Sequence, residues 1–158
     1  MEATTTVQPR MTSPVLTNRE ALNAMYALAK AATDDGLPST TTMLVELRAS
    51  QINGCSFCCE MHARELGEAG ESAERLATVA AWREAPYFTD AERAALALTE
   101  ALTRIADRPD AVPDEIWDEA ARHYDEPALG ALVLQIAQIN VWNRLNVAVH
   151  QPAGAAWN

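Results

Sequence analysis

Thr17-Asn18-Arg19-Glu20-Ala21-Leu22-Asn23-Ala24-Met25-Tyr26-Ala27-Leu28-Ala29 is the stretch on which the fold class turns. Thr17 and Glu20 stand in the Thr-x-x-Glu spacing of a capping box, in which a hydroxyl and a carboxylate satisfy backbone N–H groups left free at a helix start. Leu22, Met25, Tyr26 and Ala29 follow at i, i+3, i+4 and i+7, the spacing of one helix face. The pattern predicts an amphipathic helix that stops near Gly36-Leu37-Pro38.

Working outward, the same punctuation recurs. Ser39 to Thr42 can cap a second helix that carries Leu44, Leu47 and Ala49 towards Ile52 and ends at Asn53-Gly54. A third is predicted from the cysteines to Leu66-Gly67, and a fourth from Ser72 to Trp82, ended by Ala85-Pro86. Thr89-Asp90-Ala91-Glu92 is a second capping box, opening a helix to about Ile105. Pro113 suits the first turn of a helix reaching Tyr124, and Asp125-Glu126-Pro127 opens the last, most apolar one, from Ala128 to Val149. No stretch alternates with the period of two that a strand requires. The predicted fold class is all-α, about six or seven helices in a single domain over residues 17–158, preceded by a polar N-terminal arm over residues 1–16.

Composition narrows the function. The 158 residues are 49% hydrophobic and 22% charged, the balance of a globular domain. A net charge of -10 with only 12 Lys and Arg argues against nucleic-acid binding, which needs clustered cations, and against docking to an anionic membrane. No apolar run reaches the length of a membrane span, and the first residues lack the basic and apolar regions of a secretion signal. Three cysteines, two of them adjacent, do not resemble a secreted disulfide framework. The expected compartment is cytoplasmic.

Chemistry concentrates in Cys55-Ser56-Phe57-Cys58-Cys59-Glu60-Met61-His62. On a helix, positions 55, 58 and 62 share one face. Cys55 and Cys58 at i, i+3 come within disulfide reach. Asn53-Gly54 just upstream makes Cys55 and Ser56 first-turn residues, where free N–H groups favour a thiolate. His62, one turn beyond Cys58, can accept its proton or pair with its thiolate. Two blander readings stand beside redox chemistry. Structural zinc wants four ligands where this stretch supplies three at most, His123 and His150 being distant, and buried cysteine can be plain packing. Cys59 points about 100° away from Cys58 and reads as a buried bystander.

Arg48-Ala49-Ser50-Gln51-Ile52-Asn53-Gly54-Cys55-Ser56-Phe57-Cys58-Cys59-Glu60-Met61-His62 resembles the signature of the AhpD-like alkylhydroperoxidases, within the carboxymuconolactone decarboxylase superfamily. Trp82 to Arg93 and Asn140 to Ala148 resemble further segments of that family. The resemblance implies an all-helical subunit assembled as a homo-oligomer, a trimer or hexamer, with thiol peroxidase activity and no cofactor. By position, Cys58 would be the thiol that attacks a hydroperoxide, Cys55 the resolving thiol, and His62 part of the proton relay. An external dithiol, such as a lipoyl-bearing protein, would reduce the oxidised pair. The relay glutamate of the fuller alkylhydroperoxidases falls here on Met43, and their second histidine falls on Phe57; Glu46, one turn after Met43, is the candidate substitute. Muconolactone decarboxylases of the superfamily do not as a rule use a cysteine pair, which counts against that activity.

Trp142, Asn143, Arg144 and Asn146 place polar groups in an apolar helix, and bridging between helices of an oligomer is the favoured reading over lining the cysteine pocket. Glu60 and Arg64 read as a solvated i, i+4 pair, and His123 and His150 as caps at helix ends.

Overall fold

Apolar faces at helical spacing dictate helices, and helices are what forms. The structure is a computed structural model that describes residues 7–33 and 36–156, so residues 1–6 of the predicted arm lie outside it. Among the described residues there are eight α-helices, one 3-10 turn and no strand. In chain order they are α1 (Pro14–Thr17), α2 (Arg19–Thr33), α3 (Ser39–Asn53), α4 (Ser56–Glu68), α5 (Ala73–Thr78), the 3-10 turn (Val79–Ala81), α6 (Asp90–Thr103), α7 (Asp114–His123) and α8 (Glu126–Val149). The all-α expectation therefore holds, with one extra single-turn helix, α1, whose Val15 is buried.

Helix α3 is the spine and packs against α4, α6 and α8. One apolar cluster joins Val45 of α3 to Leu98 of α6, Ala120 of α7, and Leu132 and Ile136 of α8. A second joins Leu44 and Leu47 to Leu66, Val79, Trp82, Phe88 and Leu96. Polar groups cross the same interfaces in satisfied sets, as burial demands. Glu100 of α6 accepts from Arg48 Nε at 2.8 Å, Trp82 Nε1 at 3.1 Å and Arg83 Nη1 at 2.7 Å. Asn53 Nδ2 donates to Asn140 Oδ1 and Asn143 Oδ1, both at 2.9 Å, and Asn143 Nδ2 donates to Ser50 Oγ at 3.0 Å, which clamps α3 to α8.

Several helix ends differ from the sequence expectation. Asn18, not Thr17, caps α2, its Oδ1 accepting from Ala21 N–H at 3.1 Å, while the Thr17 hydroxyl turns back to Pro14 O at 2.9 Å. Cys55 and Pro113 are N-caps and not first-turn residues. The fourth predicted helix breaks at Thr78, whose hydroxyl donates to Glu74 O at 2.8 Å and Arg75 O at 3.2 Å. That local bond competes with the helix, and the tighter 3-10 turn that follows drops Val79 and Trp82 into the core. The capping box at Thr89 forms with both of its bonds, Glu92 N–H to Thr89 Oγ1 at 3.2 Å and Thr89 N–H to Glu92 Oε2 at 2.8 Å.

Candidate active site

The joint between α3 and α4 builds the site. Gly54 takes the left-handed conformation (φ 69°), closing α3 as its Cys55 neighbour begins α4. Cys55 is the N-cap, and its Sγ accepts from Cys58 N–H at 3.3 Å. Cys55 and Cys58 are joined as a disulfide with Cα atoms 5.3 Å apart, and both are buried, at 2% and 1% exposure. Phe57 and Met61 pack against the pair. With both thiols bonded to each other, the zinc reading loses its thiolate ligands in this state.

His62 lies one turn beyond Cys58 and is 4% exposed. Its Nδ1 is 3.0 Å from Glu65 Oε2 and 3.5 Å from Glu46 Oε2. The hydrogen bond from His62 holds the Glu65 carboxyl below its ordinary value, against the opposing effect of burial. Glu65 is therefore ionised at neutral pH and can only accept, so His62 Nδ1 is the donor of that bond. Nε2 is buried and has no hydrogen-bond partner. Glu46 behaves oppositely: burial raises its carboxyl, His62 lowers it, and Glu65 adds to the rise. Glu46 does reach the imidazole from one turn after Met43, whereas Met43 packs into the apolar cluster between α3, α4 and α6.

Cys58, His62, Glu46 and Glu65 line one cavity of about 740 Å³, walled on another side by Tyr26 and Trp142, whose ring centroids are 6.4 Å apart. From α8, Asn146 Nδ2 donates to Cys58 Sγ at 3.4 Å. The polar residues of α8 thus divide. Asn140 and Asn143 bridge helices within the chain and Arg144 Nη1 returns to Asn140 O at 2.9 Å, while Asn146 and Trp142 line the cysteine cavity.

Other sequence expectations fare unevenly. The Glu60 carboxylate receives the Gly154 N–H in place of an ion pair with Arg64. Cys59 is half-buried against the apolar cluster of Leu44, Leu66 and Trp82, outside the disulfide, with its thiol pushed up by burial. His123 Nε2 pairs with Glu119 Oε1 at 3.1 Å. His150 caps α8 through its backbone in the left-handed conformation. Glu65 escaped the sequence reading, although its i, i+3 spacing from His62 on α4 was a usable signal. Ligand-capable atoms of Glu46, His62 and Glu65 lie within 4.8 Å of one another, a spacing that also suits a cation, though the His62–Glu65 hydrogen bond already accounts for it.

Comparison with known proteins places the chain in a family and its fold among solved structures. The chain is 37% identical over 136 residues to YdfG of Bacillus subtilis (strain 168), itself uncharacterized, covering 86% of this chain and 91% of that one. The crystal structure of ATU0492 from Agrobacterium tumefaciens, a protein of unknown function proposed to be an antioxidant defence protein AhpD, superimposes with a TM-score of 0.85 at 32% identity. It covers 94% of this chain and all of that one. The debrominase Bmp8 shares the fold, with a TM-score of 0.78 at 23% identity over 89% of this chain and 75% of that one. Residues 19–101 match the sequence pattern of one family directly, and the chain belongs to it: the carboxymuconolactone decarboxylase family, in its AhpD-like branch.

Proposed function

We propose that this chain is a thiol peroxidase that reduces hydrogen peroxide or small organic hydroperoxides through Cys58 and Cys55. The observation that carries the reading is one cavity holding Cys58 of a buried redox pair together with a histidine oriented by two carboxylates. In the reduced protein, His62 Nε2 takes the Cys58 proton, and the Asn146 amide steadies the thiolate. The thiolate attacks the hydroperoxide, the O–O bond breaks, and the departing oxygen takes the proton back from His62 and leaves as an alcohol or water. Cys58 is left as sulfenic acid. The Cys55 thiol then attacks the Cys58 sulfur, water leaves, and the disulfide closes. An external dithiol, of the kind carried on a lipoyl group, restores both thiols. The chain works as a homo-oligomer in the cytoplasm, where thiols are kept reduced between turnovers. No helix among the described residues is long and apolar enough to cross a membrane.

Peroxide consumption with dihydrolipoamide as reductant tests the reading. Multiple turnovers are expected from the natural protein, none from Cys58→Ser, and about one equivalent from Cys55→Ser, the stoichiometry of a sulfenic acid that cannot be resolved. One observation favours a second reading, a redox-responsive oligomer that closes its disulfide without efficient turnover: Phe57, buried against the pair, stands where a second relay histidine would be. Disulfide formation by peroxide without turnover would select it.

A further inference from the structure

The disulfide stands between two cavities. Cys58 lines the one already described, and Cys55 lines another of about 850 Å³ formed between residues 7–9 and the C-terminal segment. Asn146, Gly154 and Ala155 line both and so form the partition. The partition is pinned at several points. Ala153 N–H donates to Ser56 Oγ at 3.3 Å, Gly154 N–H to the Glu60 carboxylate, and Arg10 N–H to Val149 O at 2.8 Å.

The two chambers differ in charge. Glu46, Glu60 and Glu65 line the Cys58 side together with Arg64 and His62, so carboxylates outnumber the guanidinium there. Among the described residues that line the Cys55 side none carries a carboxylate; His150 is the ionisable side chain beside the disulfide, and Val7, Pro9, Val147 and Pro152 give it apolar walls. A largely apolar groove with no carboxylate among its described residues, and with Cys55 of the disulfide in its lining, is unusual on a chain of net charge -10.

Disulfide exchange chooses between these chambers. The attacking species is a thiolate, and it approaches one sulfur along the S–S axis, opposite the sulfur that leaves. Attack on Cys55 therefore comes from the Cys55 groove, where no carboxylate of the described residues opposes an anion. Attack on Cys58 would bring a thiolate into the chamber where three carboxylates outnumber the one guanidinium of Arg64.

We propose that the groove on the Cys55 side is the binding site of the reducing dithiol, a neutral alkyl dithiol of the dihydrolipoyl-amide class, and that hydroperoxide and reductant reach the pair from opposite sides. This rests on the reading that the pair cycles. The reductant thiolate bonds to Cys55 Sγ as the Cys55–Cys58 bond breaks, its electron pair passing to Cys58 Sγ, which the Asn146 amide receives. Cys58 then takes a proton. The second thiol of the reductant displaces Cys55 from the mixed disulfide, so the dithiol leaves as a cyclic disulfide and both cysteines end as thiols.

The test uses protein oxidised with diamide, in a Cys59→Ala background, without peroxide. Excess 2-mercaptoethanol is quenched within milliseconds by N-ethylmaleimide, and the modified cysteines are mapped by mass spectrometry. The mercaptoethanol adduct is expected on Cys55 and the maleimide on Cys58; the reverse assignment overturns the proposal, as does a disulfide that neither thiol reduces. Val147→Trp, which narrows the Cys55 groove, should slow reduction by dihydrolipoamide about tenfold or more, the scale on which small misplacements of a reacting group act. Ala29→Trp, in the other chamber, should leave that rate within about twofold on the same scale. Slowing by Ala29→Trp alone, or equally by both, rejects the assignment. Since no step consumes peroxide, a protein that fails as a peroxidase can still pass.

Discussion

His62 has one nitrogen committed to carboxylates and the other buried without a partner, and the kinetics should follow that asymmetry. Removing a general base costs about 100-fold or more, so His62→Phe should slow the single-turnover reaction of reduced protein with peroxide by that factor in stopped flow. Glu46 supplies the pH dependence. Its carboxyl lies above the ordinary range, chiefly because it is buried, so it is protonated in mildly acidic solution and ionises as pH rises. Ionised Glu46 favours the imidazolium and hence transfer of the Cys58 proton. The peroxide rate should therefore climb with pH through the raised Glu46 titration, and Glu46→Gln should flatten that limb while leaving the cysteine pair able to close. A Glu46→Gln profile that still climbs in parallel with the natural protein would remove Glu46 from the relay.

Local chemistry made most helix boundaries readable before any contact was known. The Gly54 stop and the Thr89 capping box are set by residues a few positions apart, and both form as the sequence predicts. Thr17 misled because its rival Asn18 is the adjacent residue, and the choice between two good caps depends on how α1 turns Thr17 back to Pro14. The break at Thr78 was hidden for a similar reason: only the demand to bury Val79 and Trp82 favours a tighter turn there. The site was half legible. Cys55, Cys58 and His62 lie on one short segment, whereas the proximity of Glu46 to His62 and of Asn146 to Cys58 depends on how α3 and α8 pack on α4. The α3–α4 joint carries its own test. Gly54 sits at φ 69° with open space around it, so Gly54→Ala meets no clash but does meet the left-handed penalty. That should lower stability by about 1–2 kcal/mol in urea denaturation. A loss of several kcal/mol would mean that the joint is held by something other than backbone conformation.

Across the whole molecule, stability rests on buried groups, and the assembly expected of the chain would draw on a different surface. Inside, Glu100 gathers Arg48, Arg83 and Trp82 at the meeting of α3, α6 and the 3-10 turn. Burial opposes its charge, but the hydrogen bonds from Arg83, Arg48 and Trp82 outweigh that and hold its carboxyl below the ordinary value. A lowered folded value contributes stability that is complete above the unfolded carboxyl's titration and is lost as pH falls through the folded one. Glu100→Gln should remove that acid-side dependence and, by leaving Arg48 buried without its partner, cost about 3–5 kcal/mol at neutral pH in the same urea assay.

Outside, the solvent face of α8 is where a homo-oligomer should form. Gly130, Leu134, Ala137 and Val141 recur at helical spacing, all exposed and all uncharged, on a chain whose surface is otherwise acidic. Leu134 and Val141 are 40% and 42% exposed although the opposite face of the same helix is core. A stripe this narrow is smaller than the roughly 1,000 Å² a specific interface needs, so neighbouring surface must join it, and a central charge should then be felt throughout. Leu134→Glu and Val141→Glu should each shift the protein towards monomer in light scattering at micromolar concentration while leaving its helical circular dichroism unchanged. A carboxylate at the centre of an apolar contact finds no partner there and keeps its desolvation cost, whereas on a free surface it costs nothing. A natural protein that is monomeric from the start, or an oligomer indifferent to both substitutions, would move the assembly surface away from α8.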